Sequence, residues 1–335
     1  MTLALSIRPV DGQNSLESTE RDMAEVVCLG ILVADVVGKP VERLPERGKL
    51  LLVDRMELHT GGCAANTGMG LAKIGVDTAV IGKVGDDGFG DFMVSRLQRS
   101  GANADGVVRD PEMATSATMV MVHADGERSF LHYIGANASL CEADVDMDLV
   151  CASRLLHVAG FFLMPSFDGQ PAANVLKQAK GAGVITALDT AWDSKGRWMT
   201  LLEPALPHVD YFLPSIEEAR MVTGRQEPRD IAGVLMDHGV SVVGLKMGEE
   251  GCYIRSGDTE LRIPPFEVEC QDAVGAGDAF VAGFLTGVVR GWDLERTGRF
   301  ANAVGALCVT ELGATTGVRS LEETEAFIRT ARVRA

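Results

Sequence analysis

"EVVCLGILVADVV", residues 25–37, runs apolar from Val26 onward, broken only by Asp35. Such a run suits a strand buried on both faces, the usual situation in a parallel sheet. Five more runs read the same way: "TAVIGKVG" (78–85), "RLLHVAGFF" (154–162), "GVITALDT" (183–190), "VDYFLPS" (209–215) and "VSVVGLKMG" (240–248). Between them lie helical patterns over Ala64–Ile74, Gly88–Ser100, Gly169–Gly181, Ile216–Thr223 and Pro228–His238. Strands alternating with helices imply an α/β chain with a parallel sheet and helices on both of its faces.

Two stretches break that rhythm. "KLLLVDRMELHT" (49–60) and "TSATMVMVHADGERSFLHYIG" (115–135) read as β segments without a crossover helix. The second holds Asp125-Gly126 between alternating segments, which marks a hairpin. A small sheet assembled from roughly residues 38–60 and 113–135 would form a lid on the α/β core.

Composition narrows the functions open to the chain. Its 335 residues carry a net charge of −16 and are 46% apolar. That balance supports a sizeable core and argues against nucleic-acid binding, which needs a basic face. No apolar run approaches the ~18 residues of a membrane span. The seven scattered cysteines, odd in number and without a C-x-x-C, read as reduced thiols of a cytoplasmic protein. The start, residues 1–22, lacks the basic and apolar regions of a signal peptide and reads as a polar, disordered extension before a domain over 23–330.

Two glycine-rich stretches carry the chemistry. In "HTGGCAANTGMGLAKIG" (59–75), Gly61 and Gly62 permit backbone geometries closed to other residues. Asn66 follows on a helix's opening turn, where its amide suits hydroxyl recognition. A tight turn with a cap would explain the same residues. "GKVGDDGFG" (82–90) reads as a strand end and helix start, with Asp86 and Asp87 solvated. "DAVGAGDAF" (272–280) is stripped almost to backbone at Gly275, Ala276 and Gly277. A helix starting there would aim unpaired N–H groups at an anion, and small residues would let a phosphate come close. Asp278 would repel that phosphate unless it accepts a proton from an attacking hydroxyl. From these nine residues alone, general base and ordinary first-turn acid fit equally. The chain has no GxxxxGK[ST], GxSxG or HExxH, and its "GAG" does not match a dinucleotide fingerprint.

Together, "TGGCAANTGMGLAKIG" and "DAVGAGDAFVAGFLTG", with "DGERSF" and "GANASL" between them, resemble the two signatures of the PfkB/ribokinase family of carbohydrate kinases. The likeness extends over about residues 25–330. It implies a doubly wound, mostly parallel core with a small β lid, transferring the γ-phosphoryl group of ATP to a sugar or nucleoside hydroxyl. It implies Asp278 as the base and the Gly275–Asp278 amides, including Ala276 and Gly277, as the anion hole. Asp35, Gly61, Gly62, Asn66 and Asn137 match substrate contacts. Lys246, Gly248, Gly251 and Asn302 fall where the family holds the nucleotide. Ser215 and Glu218 fall where it organises Mg²⁺ through water. Asp272, Val274 and Gly313 resemble its monovalent-cation site, so K⁺ is expected. An exposed lid face makes a homodimer through the lid the expected assembly.

Three departures bear on the substrate. Ser215 stands where the family often has Asn. Cys63 stands where ribokinase has Lys. "AGFFLMP" lacks the Glu that ribokinase carries there. Ribose is therefore not the expected sugar. A nucleoside kinase or a non-catalytic sugar-binding regulator on this fold are the alternatives.

Overall fold

The computed structural model describes residues 24–125 and 127–334; the extension read over 1–22 lies outside the described residues. The leading run is not one strand. It forms β1 (Val26–Gly30) in the large sheet and β2 (Val33–Lys39) in a separate small one. The break at Ile31–Leu32 is clamped by Asn137, which accepts the Leu32 N–H (3.1 Å) and donates to the Leu32 carbonyl (3.0 Å). Hydrophobicity could not reveal the break, because both halves are apolar. Val26 to Leu29 are fully buried by the large sheet, whereas Asp35 to Val37 are only partly covered.

In the small sheet β2 is joined by β3 (Arg55–Gly61), β6 (Ala117–Val122) and β7 (Arg128–Tyr133), in the order β3-β2-β6-β7. The expected hairpin is β6–β7, paired from Ala117↔Tyr133 to Val122↔Arg128. The expected segment over 49–60 is a strand only from Arg55. Pro40 follows the last pair, Lys39↔Arg55, and cannot donate to a ladder. Leu50 and Leu52 are left 85% and 83% exposed.

The parallel part of the large sheet comprises β1, β4 (Thr78–Gly85), β5 (Asn103–Asp110), β8 (Leu155–Phe161), β9 (Ile185–Thr190), β10 (Tyr211–Phe212) and β11 (Val242–Lys246). An antiparallel edge is added by β12 (Cys252–Ser256) and β13 (Thr259–Ile263). The full order is β13-β12-β11-β10-β9-β8-β1-β4-β5. β10 is shorter than the run over 209–215, since Pro214 has no N–H to extend the ladder.

Helices cover both faces. α1 (Cys63–Ile74) and α2 (Gly88–Ser100) lie on one face. The other carries the short α3 (Met147–Ala152), α4 (Gln170–Gly181), the short α5 (Trp198–Leu202), α6 (Ile216–Thr223) and α7 (Pro228–Asp237). The chain then returns to the first face with α8 (Ala276–Val289), α9 (Leu294–Cys308) and α10 (Leu321–Thr330). α8 is almost wholly buried and packs against α1 and α9. Its small residues have a packing reason as well as a chemical one. A Cβ on Gly283 would stand 2.8 Å from the Ala301 Cα, so glycine lets α9 close in. Asp87 is not solvated: it caps α2 at the Gly90 N–H (2.8 Å) and binds the Thr115 hydroxyl (2.7 Å), anchoring the chain as it enters the lid.

Candidate active site

The carboxyl ends of the parallel strands are where an open α/β sheet offers a binding crevice. Two cavities lie there, of about 320 and 560 Å³, and the first turn of α8 stands between them. The smaller lies under the lid and is lined by Asp35, Cys63, Leu163 and Asp278. The larger is lined by Lys246, Gly248, Gly251, Ala276, Gly277 and Asn302.

α8 begins at Gly275 with no side chain capping it. The Ala276 N–H turns back to the Ala273 carbonyl (3.3 Å), which leaves the Gly277 and Asp278 N–H groups to receive an anion from the larger cavity. Gly275 has φ +77°, and a Cβ there would lie 2.3 Å from the Ala314 carbonyl oxygen. Only glycine turns the chain into α8 at this point. Asp278 faces the smaller cavity and accepts a hydrogen bond from Asn66 Nδ2 (2.8 Å). Burial pushes its carboxyl above the ordinary range, while Asn66 and Lys246 hold it back. A raised carboxylate, oriented by an amide, suits proton abstraction. Asn66 thus works on Asp278 and does not line the cavity; its Oδ1 is buried without a partner.

Asp35 points into the smaller cavity from β2, opposite His59 and Thr118. Burial raises its carboxyl to about 6, against the pull of Thr118 and His59. It is a carboxylate above that pH and can accept a substrate hydroxyl. Gly61 serves it by size: a Cβ there would lie 2.1 Å from Asp35 Oδ2. Asn137, expected as a substrate contact, has both ends of its amide on Leu32. Of "FFLMP", Phe161 and Phe162 are core, and only Leu163 reaches the cavity wall. Phe162 has φ +86°. Its N–H goes to Asp168 (3.1 Å) and its carbonyl accepts from Arg197 (3.3 Å), which fixes the turn presenting Leu163.

Lys246 at the end of β11 reaches both oxygens of Asp189 at the end of β9 (2.7 and 2.6 Å). Burial works against its charge, but Asp189, Glu218 and Asp278 outweigh it and raise its pKa. The ammonium is thus held charged beside Gly277, whose absent Cβ would be 3.6 Å from it. Asp189 was not anticipated, although an acid ending a buried run, "ALDT", is a signal for this position. Ser215 and Glu218 sit behind the cavities and line neither. They form a reciprocal cap on α6, and Glu218 Oε2 also accepts the Thr190 hydroxyl (3.0 Å). Ser caps a helix about as well as Asn, so this departure leaves the local fold intact.

Asp272, Val274 and Gly313 do come together. Asp272 accepts the Val274 N–H at Oδ1 and the Gly313 N–H at Oδ2, both at 2.9 Å. The K⁺ expected there does not fit, because Arg128 of β7 already holds Asp272 Oδ1 at 2.7 Å. Among the described residues, no cluster of three or more His, Cys, Asp or Glu side chains could hold a metal by itself. All seven cysteines are free, and no helix of the described residues is long and apolar enough to cross a membrane.

Comparisons with known proteins show the family. The family model for pfkB family carbohydrate kinases matches residues 23–321. An uncharacterized sugar kinase of Archaeoglobus fulgidus is 32% identical over 250 residues, covering 75% of this chain and 98% of that protein. Fructokinase-2 of Zea mays is 30% identical over 270 residues, covering 76% of this chain and 80% of that one. Among solved structures, Arabidopsis thaliana ribokinase complexed with ribose and ATP matches with a TM-score of 0.81 at 26% identity, over 91% of this chain and 99% of that chain. With its large mostly parallel sheet, its separate small sheet and two cavities meeting at the α8 N-terminus, the chain belongs to the pfkB family of carbohydrate kinases.

Proposed function

We propose that this protein transfers the γ-phosphoryl group of ATP to a hydroxyl of a sugar held under the lid. The observation that carries the reading is the first turn of α8, with Asp278 facing one cavity and Ala276 and Gly277 facing the other. Asp278 takes the proton of the attacking hydroxyl. The oxygen bonds to the γ-phosphorus as the bond to the β–γ bridging oxygen breaks. The free α8 N–H groups and Lys246 face the charge that develops, an arrangement that lowers such a barrier strongly in a water-poor site. The nucleotide fits the larger cavity: Gly248 and Gly251 lie at its wall, and Asn302 is anchored there on the Ile263 and Pro264 carbonyls. Mg²⁺ is carried by the phosphates and water, the usual mode for this ion. Glu218 lines neither cavity and has Oε2 on Ser215 and Thr190, so it would influence the ion only through intervening water. The seven free thiols support a cytoplasmic setting.

Free ribose is not the preferred acceptor. Cys63, where ribokinase carries Lys, and Leu163, from the stretch that lacks ribokinase's Glu, line the cavity and offer no charged partner to a hydroxyl. Hydrogen bonds to charged groups contribute roughly 1.5–3 kcal/mol each, and two such groups are missing. A coupled ADP-release assay over fructose and other hexoses, ribose, sugar acids, sugar phosphates and nucleosides tests this. A sugar other than ribose should give the highest kcat/KM; ribose leading by tenfold would overturn the inference from Cys63, and a nucleoside leading would overturn the sugar assignment.

The functional unit is a homodimer through the lid. The outer face of the small sheet carries Met56, Leu58, Met119, Leu131 and Tyr133, from 38% to 67% exposed. A contiguous apolar face of this kind marks a contact surface. Light scattering on the eluting protein should give twice the chain mass, and Met119→Glu with Leu131→Glu should halve it. A wild-type monomer would exclude the dimer.

A further inference from the structure

Arg128 stands on β7, the edge strand of the lid sheet, and its guanidinium reaches Asp272 across the wall of the smaller cavity. The contact is sheltered: the Arg128 side chain is 21% exposed and that of Asp272 is 7%. Asp272 also holds the Val274 and Gly313 N–H groups. One carboxylate therefore joins three segments: the lid, the loop entering α8, and the loop at Gly313–Ala314. The last two are in direct contact, because the space a Gly275 Cβ would need is taken by Ala314. Burial alone would raise the Asp272 carboxyl; the two N–H groups and Arg128 outweigh it and hold it low, as a carboxylate.

We propose that Arg128 is a positioning residue whose charge steadies the loop leading into the α8 anion hole, in place of a monovalent cation. A free cation at Asp272 would share its oxygens with the guanidinium, and like charges at that separation repel strongly where solvent is scarce. The tethered charge differs from a free ion in one respect: it arrives with the lid. Lifting the lid withdraws Arg128 from Asp272 and loosens the loop under Gly275, so phosphoryl transfer waits until the acceptor is covered. Such gating keeps water from taking the phosphoryl group.

The test uses the full chain as wild type, Arg128→Lys and Arg128→Gln, in KCl and in tetramethylammonium chloride at matched ionic strength. With ATP and fructose, wild type should turn over equally in both salts. Arg128→Gln should lose kcat by roughly 10–100-fold in tetramethylammonium, the scale of a small misplacement of reacting groups, and recover part of it in KCl. Arg128→Lys should keep most of the turnover and the indifference to K⁺. The second readout is the Tm of the ligand-free proteins, since an ion that binds the folded state raises it. K⁺ should leave wild type and Arg128→Lys unmoved and raise Arg128→Gln. This arm depends neither on the acceptor nor on the kinase reading, so it decides the proposal even if fructose is not turned over. Wild type activated or stabilised by K⁺ would overturn the proposal, as would Arg128→Gln with full turnover or with no K⁺ response in either readout. Should Arg128→Gln not fold, a K⁺ response in wild type or in Arg128→Lys overturns it.

Discussion

Asp278→Asn should lower kcat by about 10²–10⁴-fold, the usual contribution of a general base, and leave ATP binding close to that of wild type. The carboxylate faces the cavity under the lid, not the one lined by Lys246 and Gly277. Removing its charge therefore takes nothing away from the nucleotide. It removes an acceptor for the hydroxyl proton, and it relieves a buried charge that already sits above its ordinary pKa. The variant should be at least as stable as wild type for the same reason, since Asn66 keeps an amide oxygen to donate to. Calorimetric titration with ATP, beside the turnover assay, separates the two effects. Turnover within about threefold of wild type, far below the general-base range, would take Asp278 out of the chemistry.

Gly275→Ala should be nearly as damaging, by a different route. At φ +77° an L side chain is strained, and its Cβ would be driven to 2.3 Å from the Ala314 carbonyl oxygen and 2.6 Å from the Ala314 Cα. Backbone strain of this kind costs roughly 1–3 kcal/mol, so the Tm should fall. The loop can relieve the clash only by moving the first turn of α8, which misaims the N–H groups meant for the transferring phosphoryl group. Loss of one such donor typically costs about 10²–10³-fold in kcat. The expected result is a lower Tm, a kcat reduced on that scale, and a KM for the acceptor that changes little, because Asp35 and Leu163 lie on other elements. A KM for the acceptor that rises while kcat holds would place Gly275 in acceptor binding instead.

Much of the fold is legible in the amino-acid sequence, for specific reasons. Periodicity locates α2 and α6 at their observed bounds, Gly88–Ser100 and Ile216–Thr223, because capping and breaking residues frame both. The β12–β13 hairpin was missed, although Gly257-Asp258 marks it between two strand-like runs. The β1–β2 break has no such mark: an apolar pattern reports burial, and the partner sheet changes at Ile31–Leu32 without any change in polarity. The clamp by Asn137 has no local mark either, because the groups it holds are backbone atoms 105 residues away. At the site, Asp278 and the glycine turn before it stand out in the local sequence, whereas Asp35 and Lys246 come from the likeness to the family. Those that act through a partner across the fold are not. Asp189 meets Lys246 only because β9 and β11 flank β10. Arg128 meets Asp272 only because the lid folds over the loop before α8. Glu218, expected as a Mg²⁺ residue, is a capping partner that also accepts the Thr190 hydroxyl and lines neither cavity.

The destination of the γ-phosphoryl group is the most direct test of the proposed chemistry. ATP labelled at that position, incubated with enzyme, Mg²⁺ and each sugar of the panel, should place the label in a sugar phosphate. Transfer should need both wild-type Asp278 and the acceptor, with little label released as inorganic phosphate when the sugar is left out. Label appearing as inorganic phosphate at the same rate with and without every acceptor, or transfer undiminished in Asp278→Asn, would contradict it.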